Sequence, residues 1–326
     1  MGDSVRLETF VSLDAKWQEL LTNSANNHIF FTPQWLKAWW QVFGSNYELI
    51  LLSIYHDSRL VGIAPLKRKD KTLSFVGSSD VCDYMDFIAL KGREEYVFIR
   101  LMDYLEQLEW NRFELDSVLP GSPTLKSLVP LVRQRGYQIE INQKNVSPQL
   151  FLPSSWENYL ALLGAKDRHE IRRKLRRLEQ GNTVNYVTTT EPEQMPQALE
   201  SFFKLFQLSN TEKANFMTAQ KRAFFTTMVS SLAEKNNIRL SFLEVDGVRA
   251  AATLCFDYNR DRYLYNSAYD PAYSSLSVSL LLEVFDIQDA TKNGKTRFDF
   301  LSGNEPYKYD LGGQDVPISQ CVILRS

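Results

Sequence analysis

The alternation of apolar and polar positions is clearest between residues 238 and 311. Three strand-like runs occupy residues 239–245, 248–257 and 262–269. The turns between them are short and polar: Asp246-Gly247 and Asn259-Arg260-Asp261. Runs of this character joined by such turns are typical of an antiparallel meander.

A helix, a strand and a polar loop follow the meander. Apolar residues recur at helical spacing from Val278, and Asn293-Gly294 is a good helix stop, so we predict a helix over residues 278–293. A strand is predicted over residues 297–301. The loop after it, residues 302–308, is rich in hydrogen-bond donors and acids.

The first half of the chain repeats this order at nearly constant spacing. Its predicted hairpin, helix and strand occupy residues 47–67, 94–109 and 112–119. A polar segment with two prolines, at residues 145–155, separates the halves. We therefore predict two copies of one unit, residues 1–150 and residues 151–326.

Three motifs in the second half resemble a known family. They read YLYNSAYDPAY at residues 263–273, LSVS at residues 276–279 and DFLSGNEPYK at residues 299–308. Together they are similar to the CelD/BcsL-type branch of the GNAT superfamily of acetyltransferases, and more distantly to the FemAB-like peptidyltransferases. The resemblance implies an α/β (α+β) fold of two tandem GNAT-like domains, each a mixed, mainly antiparallel sheet flanked by helices. It also implies that the first domain is a degenerate copy shaping the acceptor side of a cleft between the two.

The activity implied by the resemblance is acyl transfer. The donor would be acetyl-CoA or another acyl-CoA, and the acceptor an amine or hydroxyl, in cell-envelope or polysaccharide biosynthesis. Two alternatives stay open. One is a FemAB-like transferase that uses aminoacyl-tRNA, and the other is a non-catalytic GNAT-like protein that binds a polysaccharide or envelope precursor.

The expected donor site combines a turn with a basic helix. In this superfamily the turn before the helix holds the pyrophosphate of the donor, and the matching residues here are Leu276, Ser277, Val278 and Ser279. The turn lacks the usual glycine, and serine hydroxyls could substitute in part. On the basic helix, i, i+4 spacing puts Arg168, Arg172 and Arg176 on one face, where guanidinium groups can grip phosphate. The alternative is a solvated helix in salt bridges, with Ser277 as a simple helix cap.

The expected catalytic groups follow the last strand. The resemblance implies that Tyr307 protonates the leaving thiolate, and Glu305 is the best base, with Asp299 as a further candidate. The residues expected to contact the acceptor flank the donor strand or lie in the last loop: Asn266, Tyr269, Asp270 and Lys308. The alternative is that Asp299, Glu305 and Lys308 form structural ion pairs or caps.

Composition limits the remaining function classes. The chain has 326 residues, 44% of them hydrophobic, and a net charge of −2, so it is globular with no electrostatic reason to bind DNA. A basic stripe could bind tRNA, but the balanced charge argues against it. Cys82, Cys255 and Cys321 are scattered, which predicts free thiols and no metal site. With no signal-peptide pattern and no apolar run near the ~18 residues of a membrane span, we expect a cytoplasmic protein. The oligomeric state is left open.

Overall fold

The structure is a computed structural model that describes residues 2–325, apart from the side chain of residue 14. The chain divides into two compact units. Unit 1 comprises the residues up to Asn145 together with those from Val316 onward, and unit 2 comprises Val146–Asp315.

Unit 1 begins with a strand, two helices and a long hairpin. Its strands are β1 (Ser4–Leu7), β2 (Glu48–His56), β3 (Arg59–Lys69), β4 (Thr72–Phe75), β5 (Ile88–Ala89) and β6 (Arg112–Val118). Its helices are α1 (Phe10–Thr22), α2 (Pro33–Phe43), α3 (Glu94–Leu105) and α4 (Val129–Gln134). Strands β1 to β4 pair antiparallel in chain order, and β4 pairs parallel with β6.

Local sequence explains where the helices of unit 1 begin. Thr9 and Ser12 form a capping box at α1, and the Thr32 side chain caps α2 with Pro33 in its first turn. The aromatic stripe of α2 packs into the core, since Trp35 and Trp39 are almost completely buried. It is therefore a packing feature of the core.

Unit 2 is entered through β7 (Gln138–Phe151). Its helices are α5 (Trp156–Leu162), α6 (Ala165–Glu179), α7 (Met195–Ser209), α8 (Thr211–Phe216), α9 (Ala219–Ala233), α10 (Val278–Lys292) and α11 (Pro306–Asp310). Its strands are β8 (Val184–Thr189), β9 (Ile238–Val245), β10 (Val248–Tyr258), β11 (Asp261–Tyr269) and β12 (Arg297–Asp299). Strands β8 to β11 pair antiparallel in chain order, β11 pairs parallel with β12, and β12 pairs antiparallel with β7.

The two units share one topology. In each, an antiparallel meander is followed by a helix and then by a strand that pairs parallel with the last strand of the meander: β4 with β6 in unit 1, and β11 with β12 in unit 2. Mixed, mainly antiparallel sheets with flanking helices confirm the predicted fold class. The degenerate character of the first domain stays a prediction.

Two local features differ from the sequence expectation. The last strand, β13 (Gln314–Leu324), pairs with β6 of unit 1, although the predicted division grouped it with residues 151–326. The loop predicted over residues 302–308 ends in α11, because Pro306 at a first helical position and Glu305 before it favour a helical turn.

Candidate active site

The strands β11 and β12 of unit 2 separate after a short paired stretch. They pair only over three residues each, Asp261–Tyr263 with Arg297–Asp299. On its other side β11 shifts register against β10 between Leu254 and Cys255, which marks a β-bulge. Beyond Tyr263, the edge of β11 that faced β12 has no ladder partner in the described part of the chain. Side chains bind part of this edge instead: Lys213 donates to the Ser267 carbonyl, and Ser209 Oγ bonds both the amide and the carbonyl of Tyr269.

The turn at the start of α10 has an unusual backbone. A 3-10 helix at Pro271–Leu276 ends in Ser277, whose φ of 57° lies in the left-handed region. The Ser277 side chain makes no capping hydrogen bond, and the first amide bonded within the helix is that of Leu281, which donates to the Ser277 carbonyl over 3.0 Å. The first amides of α10 are thus left for another acceptor, and the helix dipole favours an anion there.

Two cations of α6 reach this turn. Lys174 Nζ donates to Ser277 Oγ over 3.3 Å, and Arg177 Nη2 donates to the same oxygen over 3.0 Å. Ile171 and Leu178 are buried, so the adjoining face of α6 is held close to α10. The turn therefore combines free amides with two positive side chains.

The three arginines chosen from the sequence lie elsewhere on α6. Arg172 and Arg176 are exposed; Arg172 lies 3.8 Å from Glu157, and the Arg176 Nε donates to the Arg172 carbonyl. Arg168 donates to the carbonyl of Leu160. None of the three lines the cavity described below, because i, i+4 spacing identifies a face without saying which face is inward. Their assignment to the phosphates stays a prediction that this geometry does not favour.

The turn borders a cavity of about 390 Å³. Ser277, Val278 and Ser279 line it at one end, as the sequence predicted for the donor site. The other lining residues come from six segments: Lys174 (α6), Lys213 (α8), Ser267 and Tyr269 (β11), Ser274 (the 3-10 helix), Leu280 and Glu283 (α10), and Tyr307 (α11). Leu276 packs against the hydrophobic core beside the turn.

Glu283 is a buried carboxylate with a bare oxygen. It is only 2% exposed, and its Oε2 has no hydrogen-bond partner within residues 2–325. Burial raises the pKa of Glu283 well above its usual value, and the nearby carboxyl of Asp286 raises it further, against the opposing effect of Lys213 and Lys308. A carboxylate of raised pKa facing a cavity is suited to accept a proton.

Tyr307 lies in the same cavity, as predicted. Burial raises the pKa of its hydroxyl far above the usual value, and the carboxylates of Glu283 and Glu305 add to the effect. The phenol is therefore protonated at every ordinary pH and can donate a hydrogen bond into the cavity.

Lys213 is a half-buried cation on the cavity wall. Its Nζ donates to the carbonyl of Ser267 over 2.5 Å and lies 5.4 Å from the centre of the Phe206 ring. Burial lowers the pKa of Lys213, while Glu283 and Glu305 oppose that shift.

Glu305 and Lys308 pair with each other outside this cavity. Lys308 Nζ lies 2.9 Å from a carboxylate oxygen of Glu305, whose side chain is 55% exposed. The ammonium is 3% exposed and donates to the carbonyls of residues 301, 302 and 303. Lys308 thus holds the loop in place and its ion pair occupies Glu305, which favours the structural alternative. The catalytic role of Glu305 and the acceptor contact of Lys308 stay predictions.

Asp299 and Asp270 also have structural partners. Asp299 is fully buried and accepts hydrogen bonds from Ser147, Gln149 and the backbone amide of Leu301. Asp270 caps the 3-10 helix by accepting from the amide of Ala272. Neither of them lines the cavity, and nor does Asn266, so of the predicted acceptor residues only Tyr269 does.

The sequence contained a signal for Glu283, which was not among the predicted site residues. Glu283 interrupts the apolar run Leu280-Leu281-Leu282-Glu283-Val284-Phe285 on a helix whose neighbouring positions are buried. A charged residue on such a face is either paired or functional. Lys213 carried no comparable signal, because its short helix has no buried residue.

A small cluster of metal-binding side chains occurs in unit 1. Ligand atoms of Asp3, His56 and Asp57 lie within 4.8 Å of one another. They meet only through the pairing of β1 with β2, which linear spacing cannot reveal. Separately, none of the helices between residues 2 and 325 is long and apolar enough to cross a bilayer.

Comparison with known families supports an acyltransferase domain in unit 2. Residues 165–309 match the family model for the acetyltransferase (GNAT) domain. This match supports an acyltransferase domain, whereas the CelD/BcsL subtype stays a prediction. No curated protein sequence matches the chain.

Several solved structures share the fold over nearly the whole chain. FemX has 11% identity and a TM-score of 0.65, with 98% of this chain and 96% of FemX covered. The C-terminal domain of a putative lysylphosphatidylglycerol synthetase from Agrobacterium fabrum has 10% identity and a TM-score of 0.60, with 96% and 92% covered. A tandem GNAT protein from the clavulanic acid biosynthesis pathway has 10% identity and a TM-score of 0.53, with 98% of each chain covered. At such low identity these similarities concern the fold alone.

Proposed function

We propose that unit 2 transfers an acyl group from an acyl-CoA to an amine or hydroxyl. The observation that carries this proposal is the meeting of Glu283, Tyr307 and the uncapped start of α10 in one cavity. The match of residues 165–309 to the acetyltransferase domain model supports it.

The donor would bind with its pyrophosphate at the turn. The first amides of α10 supply hydrogen bonds, and Lys174 and Arg177 supply the positive charge that a glycine-free turn lacks. The thioester would then lie beside β11, in the part of the cavity lined by Ser267 and Tyr269.

The reaction needs one proton removed and one supplied. Glu283 takes a proton from the attacking amine as the nitrogen–carbon bond forms. When the carbon–sulfur bond breaks, the Tyr307 hydroxyl gives its proton to the thiolate. Exchange with solvent then restores both side chains, and free coenzyme A leaves.

A donor-binding and thiol-release experiment tests the proposal. We expect calorimetry to detect acetyl-CoA binding, and a panel of amines to release thiol. Tyr307→Phe should slow release while leaving donor affinity unchanged. Tyr309→Phe should behave as the parent, because the Tyr309 side chain is exposed and its hydroxyl donates to Asp315. Absence of binding for every acyl-CoA tried would contradict the proposal. Binding without any turnover would favour the non-catalytic alternative.

A second candidate is transfer from aminoacyl-tRNA. Its support is the outward row of Arg172, Arg173 and Arg176 on α6, although Arg173 is already paired with Glu170. Retention of charged tRNA by the parent, lost in Arg172→Ala with Arg176→Ala, would favour this donor. A cell-envelope or polysaccharide acceptor stays a proposal for either donor.

A further inference from the structure

An acidic and a basic side chain, Glu283 and Lys213, face the cavity of unit 2. Glu283 leaves Oε2 without a partner, and Lys213 uses its Nζ on the Ser267 carbonyl. The Oε2 atom of Glu283 therefore makes no hydrogen bond to the Lys213 ammonium, although both side chains line the same cavity.

Isolated charges of this kind are costly in a folded protein. A buried carboxylate or ammonium is destabilised unless an opposite charge or hydrogen bonds compensate for the lost water. The shifts of both pKa values toward the neutral forms reflect the same cost. A ligand that carries one positive and one negative group would remove both penalties at once.

We propose that the acceptor is a free α-amino acid, held with its amino group at Glu283 and its carboxylate at Lys213. This inference rests on the proposed acyl transfer and specifies its acceptor. The amino group then lies beside the base that deprotonates it. The carboxylate of the acceptor forms an ion pair with the Lys213 ammonium.

The rest of the cavity suits such an acceptor. Tyr269, Leu280 and Tyr307 give it an apolar wall on which an amino-acid side chain can pack. The phosphates of the donor are assigned to the turn and to Lys174 and Arg177, so Lys213 is left for the other substrate. A plain amine would leave Lys213 without a counter-ion, and a carboxylic acid without an amine would leave Glu283 unpaired.

Equilibrium binding can test the proposal without relying on turnover. Free L-amino acids and their carboxamides would be compared by ligand-observed NMR, with and without coenzyme A. We expect at least one amino acid to bind about tenfold or more tightly than its amide, because the amide loses a charge-assisted contact. Lys213→Met should remove this preference, and Lys213→Arg should retain it. Lys204 is an exposed lysine on α7, so the control variant Lys204→Met should match the parent.

The outcomes separate this inference from the proposed function. Equal binding of acids and amides, no binding by any amino acid, or a preference that survives Lys213→Met would overturn the inference. Transfer from acetyl-CoA to hydroxylamine, which has no carboxylate, reports on acyl transfer alone. If that transfer persists while the preference is absent, only the inference fails. If amino acids bind with the expected preference and no acyl group ever moves, the proposed function fails.

Discussion

The guanidinium of Arg177 donates to the hydroxyl of Ser277 over 3.0 Å, from a neighbouring helix to the residue that precedes α10. This hydrogen bond fixes the position of a side chain that would otherwise be free to cap its own helix. It leaves the helix amides open and puts a positive charge beside them. The pair therefore makes the start of α10 suited to an anionic group.

Removing this guanidinium should weaken donor binding. Because a charge-assisted contact is worth about 1.5–3 kcal/mol, we expect Arg177→Ala to raise the dissociation constant of acetyl-CoA by roughly ten- to a hundredfold. Calorimetry measures the change, and Arg172→Ala, on the exposed face, is the matched control. If the parent and Arg177→Ala bind acetyl-CoA equally, or if Arg172→Ala loses more affinity, the donor phosphates would instead be assigned to the face of α6 predicted from the sequence.

Glu283→Gln should slow transfer without weakening the donor. Loss of a general base costs about 10²–10⁴ in rate. Only the carboxylate form accepts a proton, so the parent rate should rise as the pH increases through the raised pKa of Glu283. The variant should lose that rise. Glu305→Gln, which alters the base expected from the sequence, should keep most of the turnover, and the reverse result would rule out our assignment.

Lys308→Met should destabilise the protein. The substitution removes the Lys308 donor from one buried and two half-buried carbonyls and leaves Glu305 without this ion pair, so we expect the free energy of unfolding to fall by on the order of 3 kcal/mol. Urea unfolding measures this, and the exposed Lys292→Met serves as control, with a change below about 0.5 kcal/mol. Unchanged stability with a raised KM for the acceptor would instead support the substrate contact predicted from the sequence.

Asp86 should make unit 1 less stable as the pH rises. Burial raises the pKa of this carboxyl to about 7, although hydrogen bonds from Thr124, Phe87 and Asn26 oppose the shift. The folded state holds the proton more tightly than the unfolded state, whose pKa is near 3.8. The stabilisation present below about pH 4 is therefore lost progressively up to about pH 7.

The asparagine variant isolates this contribution. At about 1.4 kcal/mol for each tenfold difference in proton affinity, Asp86 should account for up to about 4 kcal/mol over that window. Between pH 5 and pH 8, the free energy of unfolding measured with urea should fall more steeply for the parent than for Asp86→Asn. The exposed Asp70→Asn should follow the parent. Parallel curves for the parent and Asp86→Asn would show that this carboxyl does not titrate as described.

The fold was predictable where neighbouring residues determine it. Strand β9 was expected over residues 239–245 and occupies Ile238–Val245, because the Asp246-Gly247 turn is a local signal. Helix α10 was expected to end at Asn293 and ends at Lys292. The pairing of β13 with β6 was not predictable, since no local pattern specifies a partner two hundred residues away along the chain.

The site was predictable in position and only partly in chemistry. Ser277 and Tyr307 were found through their place after recognisable elements, and both line the cavity. Glu305 and Lys308 looked reactive because they are polar residues in an expected loop, yet they satisfy each other. The burial that makes Glu283 a candidate base arises from packing around α10, and a sequence shows the residue without its surroundings.

The return of the chain to unit 1 has a consequence for biosynthesis. A ribosome delivers residues in order, and domains generally fold as they emerge. All of Val146–Asp315 is available before the residues of β13 that pair with β6. Synthesis of unit 1 therefore begins before that of unit 2 and ends after it. Until Ser319–Leu324 have been synthesised, β6 has an unpaired edge that a holdase chaperone or a second nascent chain can bind.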